Sequence, residues 1–240
     1  VKNSGYGDFV MIRAGYGRVA SQKDVRFEKH YANAKAAGIP VGAYWYSYAT
    51  TPDEARLEAQ VCLSIIKGKQ FEFPIYFDLE EQRAFNTGKA NCSAMIRAFC
   101  GELEKAGYFA GVYISRGPFM SYTEQDIRVR YALWLAEWGS RLNYSGSVGI
   151  WQFSDKGRVP GVDGYVDLDE CYVDYSKVIK ENGFNGFEKP VLPPSEEGIE
   201  LPYVPNMTAS DVQTYLNWCA EKGAGNYKDN AEDFKKFLNK

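Results

Sequence analysis

Histidine is nearly absent from the 240-residue sequence, His30 being the only one. That all but excludes a zinc site built on histidines. Any Ser-His-Asp machinery would have to run through a single side chain that lies mid-helix and reads as structural. An excess of basic charge is also lacking: 28 Lys and Arg face 31 Asp and Glu, a net of −3. The electrostatic footprint of a nucleic-acid binder is therefore missing. No apolar run approaches the ~20 residues that span a bilayer, and no signal-peptide pattern opens the chain. No GxGxxG follows the first apolar run and no GxxxxGK[ST] occurs, which removes the common phosphate-cradling loops. The five cysteines, Cys62, Cys92, Cys100, Cys171 and Cys219, contain no CxxC pair. Cys92 and Cys100 fall in one predicted helix about 12 Å apart along its axis, beyond disulfide reach. The cysteines read as buried free thiols.

What is present is a globular composition, 45% hydrophobic and 25% charged, with an aromatic share of 15% that includes 18 Tyr and 5 Trp. Flat rings suit a packed core and also suit sugar faces. As far as Tyr175, strand-like and helix-like segments alternate. Phe9–Ala14, Pro40–Tyr48, Phe73–Leu79 and Ala110–Ser115 are apolar runs bounded by turn residues, and Asp24–Ala37, Thr51–Gly68 and Cys92–Ala106 carry helical spacing between them. Thr51-Pro52-Asp53-Glu54 is a helix start with a cap, a proline in the first turn and acids beside it. Tyr131–Ala136, Val148–Phe153 and Tyr165–Leu168 are further short strands with little helix between them. The pattern predicts an α/β fold, an irregular (β/α) barrel of the TIM type over residues 1–187, its strands parallel and covered by helices.

Beyond Phe187 the composition changes. Residues 188–206 hold Pro190, Pro193, Pro194, Pro202 and Pro205 and read as an extended linker or strap. Residues 207–240 read as a small helical appendage, one helix capped by Thr208 or Ser210 and a second over Asn230–Leu238. So short a piece buries little core alone and is expected to dock.

The chemistry concentrates at strand ends. Phe77-Asp78-Leu79-Glu80 places two carboxylates on one side of a strand, with Cα atoms about 6.6 Å apart. Acids that close cannot both ionise freely, so one is expected to keep its proton and serve as a general acid. A polar loop start would leave the same trace. A second acidic run, Asp163 to Asp174, again alternates so that Asp167 and Asp169 share a face. Its spacing fails as a calcium loop, and Asp167 joining the first pair across the barrel mouth is the more economical account. Tyr44, Tyr46, Tyr48, Tyr113, Trp134, Trp138 and Trp151 cluster at the same ends. Acids among rings are what a carbohydrate cleft requires.

The ordered segments DFVMIRAGYG, AGIPVGAYWYSYA, PIYFDLE, AGVYIS, ALWLAEW, GIWQFS and GVDGYVDLD resemble glycoside hydrolase family 25, the Chalaropsis-type muramidases, over Val1 to Tyr175. The resemblance implies cleavage of the β-1,4 bond between N-acetylmuramic acid and N-acetylglucosamine in peptidoglycan, with no cofactor and no metal. It implies Glu80 as general acid, Asp78 beside it orienting the acetamido group or stabilising charge, and Asp167 as the late-strand acid. Tyr44, Tyr46, Tyr113, Trp138 and Gln152 match positions that line the sugar groove. The implied partner is a peptidoglycan glycan strand, met outside the cell, in the wall, or as a phage-type endolysin at lysis. Asp169 stands where many members carry Asn, a departure expected to leave the chemistry unaltered. The family's opening Gly-Ile-Asp-Val-Ser strand, with its active-site Asp, has no counterpart here. That predicts a barrel short of one strand with two unpaired edges. It keeps open an inactive wall-binding relative, and a hydrolase of another N-acetylglucosamine polymer such as chitin also stays open.

Overall fold

The computed structural model describes residues 2–190 and the isolated Thr214. Most of the expected strap, and all of the expected helical appendage except Thr214, lie outside the described residues. Seven strands form one sheet in sequence order: β1 (Val10–Tyr16), β2 (Val41–Tyr46), β3 (Ile75–Asp78), β4 (Ala110–Ser115), β5 (Ala132–Ala136), β6 (Ile150–Gly157) and β7 (Val166–Cys171). The helices are α1 (Phe27–Ala36), α2 (Pro52–Ile66), α3 (Gln82–Phe85), α4 (Lys89–Lys105), α5 (Arg116–Tyr122), α6 (Gln125–Arg130) and α7 (Tyr175–Asn182).

Two expectations need correction. β1 to β6 pair in parallel, but β7 runs antiparallel to β6. The segment between Gly157 and Val166 is too short for a crossover and long enough for a hairpin, so the chain simply turns back. A closed TIM-type barrel is also not found. Among the described residues β1 and β7 do not pair with each other, and the fold is a mixed α/β one with a curled, open seven-stranded sheet. The curl is evident because β1 and β7, at opposite edges, line the same cavity.

Period-2 alternation sorts the strand residues onto two faces. Ile75, Phe77 and Leu79, Val112 and Ile114, and Leu133 and Leu135 point outward into a large core beneath α2 and α4. Tyr76, Tyr113, Trp134 and Ile150 point inward and form a second, aromatic cluster closed by Phe73, Phe109 and Tyr175. Trp45 takes the outer face and is fully buried, with its indole N–H on the Gly17 carbonyl at 3.0 Å. Inward crowding leaves no room for a side chain at Gly111, where a Cβ would stand 2.5 Å from the Tyr76 ring. α2 starts as the sequence indicates, with Thr51 Oγ1 accepting from the Glu54 N–H at 3.3 Å and Pro52 at the first position. α1 begins at Phe27 rather than Asp24, and Val25, placed on its apolar side by spacing, is almost wholly exposed. The four described cysteines are free, three buried and Cys171 half-buried.

Two buried polar residues hold the strand ends. Asn185 sits in the left-handed region at φ 54°, which Asn tolerates better than most residues. Its Oδ1 accepts from the Phe109 N–H at 2.7 Å, and its Nδ2 donates to the carbonyls of Phe71 and Phe73 at 3.1 and 2.8 Å. It thus ties the entries of β3 and β4 to the segment after α7. Glu58, on α2, is fully buried and accepts from Ser47 Oγ at 2.6 Å and the Tyr48 N–H at 2.8 Å. That clasp fixes the turn after β2.

Asn185→Ala orphans a buried N–H in a backbone conformation alanine disfavours, and should cost about 2–4 kcal/mol in chemical denaturation. Burial pushes the Glu58 carboxyl up to about 7, from an ordinary 4.5. The folded state therefore holds that proton more tightly than the unfolded chain, and stability falls as pH rises from about 4.5 through 7. Glu58→Gln should flatten this part of the melting-temperature profile between pH 5 and 8.

Candidate active site

Register sets the site. Tyr46 pairs with Asp78, Asp78 with Tyr113, and Tyr113 with Trp134, so four inward residues form one row across β2 to β5. On the far side Gln152 of β6 pairs with Asp169 of β7. The concave face encloses a cavity of about 510 Å³, lined among others by Tyr44, Asp78, Glu80, Tyr113, Trp134, Gln152, Asp167 and Asp169.

Asp78 and Glu80 do meet. β3 ends at Asp78, yet the Leu79 N–H still bonds the Tyr113 carbonyl at 3.0 Å. The alternation therefore continues one residue further and turns Glu80 to the same cavity. The two carboxyls share a hydrogen bond. Asp78 is 3% exposed, and its Oδ1 has no hydrogen-bond partner among the described residues. Its pKa is raised well above the ordinary carboxylate range by burial first and then by the Glu80 charge. Glu80 keeps an exposed surface at the mouth. The protein packed around its carboxyl still raises its pKa, aided by Asp167 and Glu81 and opposed by the bond to Asp78. Because Glu80 is open to water, its upward shift is the weaker of the two, and the pair's resting proton belongs on the buried partner.

Asp167 lines the cavity and is exposed, its pKa raised by desolvation and by Asp155. Tyr44 lines it half-buried, edge-on to Trp134 at 5.9 Å. Tyr113 packs against Trp134 at 4.6 Å and donates its hydroxyl to Gln152 Oε1 at 2.9 Å. Two expected groove residues stand outside the cavity wall. Tyr46 gives its hydroxyl to Glu81 Oε1 at 2.9 Å. Trp138, 61% exposed, reaches Gln152 Oε1 through its indole N–H at 3.1 Å.

Asp169 carries more of the site than its sequence position indicated. Its Oδ1 accepts from the Trp134 indole N–H at 2.7 Å, reaching over β6 to pin the ring that touches Tyr44, Tyr76 and Tyr113. Burial pushes its pKa up to about 7, against the Trp134 hydrogen bond and with help from Asp167. The shared face with Asp167 was the legible signal. Gly5, Tyr6, Asp8 and Phe9, ahead of β1, also line the cavity; Asp8 and Phe9 open the segment DFVMIRAGYG, but none of the four was expected at the site. Among the described residues no His, Cys, Asp and Glu cluster is arranged to hold a metal ion. None of the described helices is long and apolar enough to cross a membrane.

A curled α/β sheet whose inner face carries paired carboxyls between aromatic rings has the makings of a glycoside hydrolase site. The chain belongs to glycosyl hydrolases family 25, whose model matches residues 1–162. It is 30% identical over 171 residues to the autolytic lysozyme of Clostridium acetobutylicum, covering 71% of this chain and 50% of that one. The chain thus spans about half the length of that curated relative. A structure of the CTP1L endolysin superposes with a TM-score of 0.61 at 27% identity, over 72% of this chain and 61% of that one. The autolysin LytC of Streptococcus pneumoniae, solved with a synthetic peptidoglycan ligand, shares the fold at a TM-score of 0.63 and 24% identity, over 72% of this chain and 42% of that one.

Ionisation of Asp169 changes the charge against the Trp134 indole. Tryptophan emission should titrate with a midpoint near 7, and Asp169→Asn should remove that inflection while leaving the far-ultraviolet circular dichroism unchanged.

Proposed function

We propose that the chain is a peptidoglycan hydrolase cleaving the β-1,4 bond between N-acetylmuramic acid and N-acetylglucosamine. The observation that carries this reading is the hydrogen-bonded Asp78–Glu80 pair inside an open, ring-lined cavity. The names of similar proteins, a lysozyme, an endolysin and an autolysin, agree with it.

The chemistry follows from the asymmetry of the pair. In the empty site burial keeps the shared proton on Asp78, whose Oδ1 lacks a donor. A sugar in the cavity supplies one through its acetamido N–H. Donation to Asp78 stabilises its charged form and moves the proton along the existing hydrogen bond to Glu80. Glu80, at the mouth, then protonates the departing glycosidic oxygen. The Asp78 charge holds the acetamido group where its oxygen can assist at the sugar carbon, a variant of the two-carboxylate scheme. Asp167, across the cavity, stabilises the developing positive charge. The rings of Tyr44, Tyr113 and Trp134 shape the pocket, and Gln152 fixes Tyr113.

The open side of the sheet, where β1 and β7 do not pair with each other among the described residues, favours a second reading, a wall-binding relative without catalysis. It would sediment with peptidoglycan and release no reducing ends.

Glu80→Gln should lower release of reducing ends from purified peptidoglycan by about 10²–10⁴-fold with unchanged melting temperature. Full activity in that variant would overturn the assignment. Faster release from chitin than from peptidoglycan by the unaltered chain would move the substrate to the chitin class.

A further inference from the structure

The cavity lining is one-signed. Asp8, Asp78, Glu80, Asp167 and Asp169 line it, and no Lys or Arg does. A glycan substituent bearing a carboxylate is repelled from that floor and must leave over the rim. Arginines stand just past several strand ends. Arg18 is ion-paired with Glu54, and Arg116 with Glu137 at 2.8 Å. Arg83, on α3, differs. Its Nε pairs with Glu81 Oε2 at 3.6 Å, a looser contact than the other two, it makes no hydrogen bond among the described residues, and its side chain is 52% exposed. The guanidinium lies over the Tyr48 ring at 4.8 Å from the centroid. Tyr48 packs on Tyr46 at 5.2 Å and on Tyr16 at 6.0 Å, and the Glu58 clasp holds its backbone. Glu81 is already engaged by the Tyr46 hydroxyl. The result is a planar cation fixed by stacking, with several of its five donors unspent, three residues beyond Glu80.

We propose that Arg83, stacked on Tyr48, is a carboxylate-binding site for the acidic peptide stem carried by the glycan strand in the cavity. The proposal rests on the glycan-cleaving reading of that cavity. The half-exposed guanidinium keeps N–H donors open to solvent, and a fork of such donors matches a carboxylate in two-point contact. The acidic floor and the cationic ledge together orient the polymer, sugars inward and stems over the α3 side.

The test uses the full chain and two walls, native peptidoglycan and the same material with its carboxylates capped as amides. In a Glu80→Gln background, Arg83→Ala should weaken sedimentation with native wall about fivefold, a partly exposed ion pair's worth, and leave binding to the capped wall unchanged. In the active chain Arg83→Ala should raise KM on native wall by a similar factor with kcat nearly constant, and Arg83→Lys should recover part of the loss. Equal weakening on both walls would reduce Arg83 to a packing role and overturn the proposal, as would no weakening on either. Absence of reducing ends from both walls with the unaltered chain would instead strike the hydrolase reading, while the comparison of binding still judges Arg83.

Discussion

One proton held between two carboxyls is the constraint around which this molecule is arranged. A carboxylate as buried as Asp78 cannot stay charged without a counter-ion or several donors, and the fold supplies neither at its Oδ1. It can remain there only protonated or sharing a proton, and Glu80 is the partner that makes sharing possible. The aromatic lining deepens the effect. Tyr76, Tyr113 and Trp134 replace water around Asp78, so charge on either acid is felt strongly by the other.

The sheet makes this affordable by separating two jobs onto two faces. Outward residues are aliphatic and phenylalanine-rich and carry the bulk of burial beneath the helices. Inward residues form the second, smaller cluster and include the polar side chains of the site. Several of their polar atoms bond one another: Trp134 with Asp169, and Tyr113 and Trp138 with Gln152. These bonds run sideways from strand to strand and tie β4, β5, β6 and β7 to one geometry. The acids inherit their positions from that lattice, whereas their titration comes from burial.

Much of this was legible in the sequence because period 2 is a strong physical signal. Tyr44-Trp45-Tyr46 reads directly as in, out, in, and Asp78-Leu79-Glu80 as two acids on one face with an apolar residue sealed behind. The acid pair on β7 was legible for the same reason. Direction was not: alternation is identical for parallel and antiparallel strands, and only the short hairpin before β7 distinguishes them. The open side was expected from the missing first strand, but the degree of curl was not legible, since curvature is a property of all seven strands together. Tyr46 and Trp138 were placed in the groove by resemblance, but local hydrogen bonds to Glu81 and Gln152 hold them just outside its wall. The role of Asp169 depends on an indole contributed by a strand two positions away, which no local pattern encodes.

The open side of the sheet bears on what the cavity can accept. Between β1 and β7 the wall is not hydrogen-bonded shut, and Gly5, Tyr6, Asp8 and Phe9 lie along that side instead. A closed pocket would suit a small ligand buried on all sides, and Glu80 would then be as desolvated as Asp78. Here the mouth stays wet and Glu80 stays exposed, so the two acids differ in environment although they touch. That difference gives the proton a direction, from the dry carboxyl to the wet one. A polymer entering from the side can occupy such a trough without threading an end, and its bulky substituents need not be buried. The segregation of charge acts the same way. Carboxylates line the floor and Arg83 lies over Tyr48 beyond it, so an acidic branch would meet repulsion inside the cavity and a cation outside it.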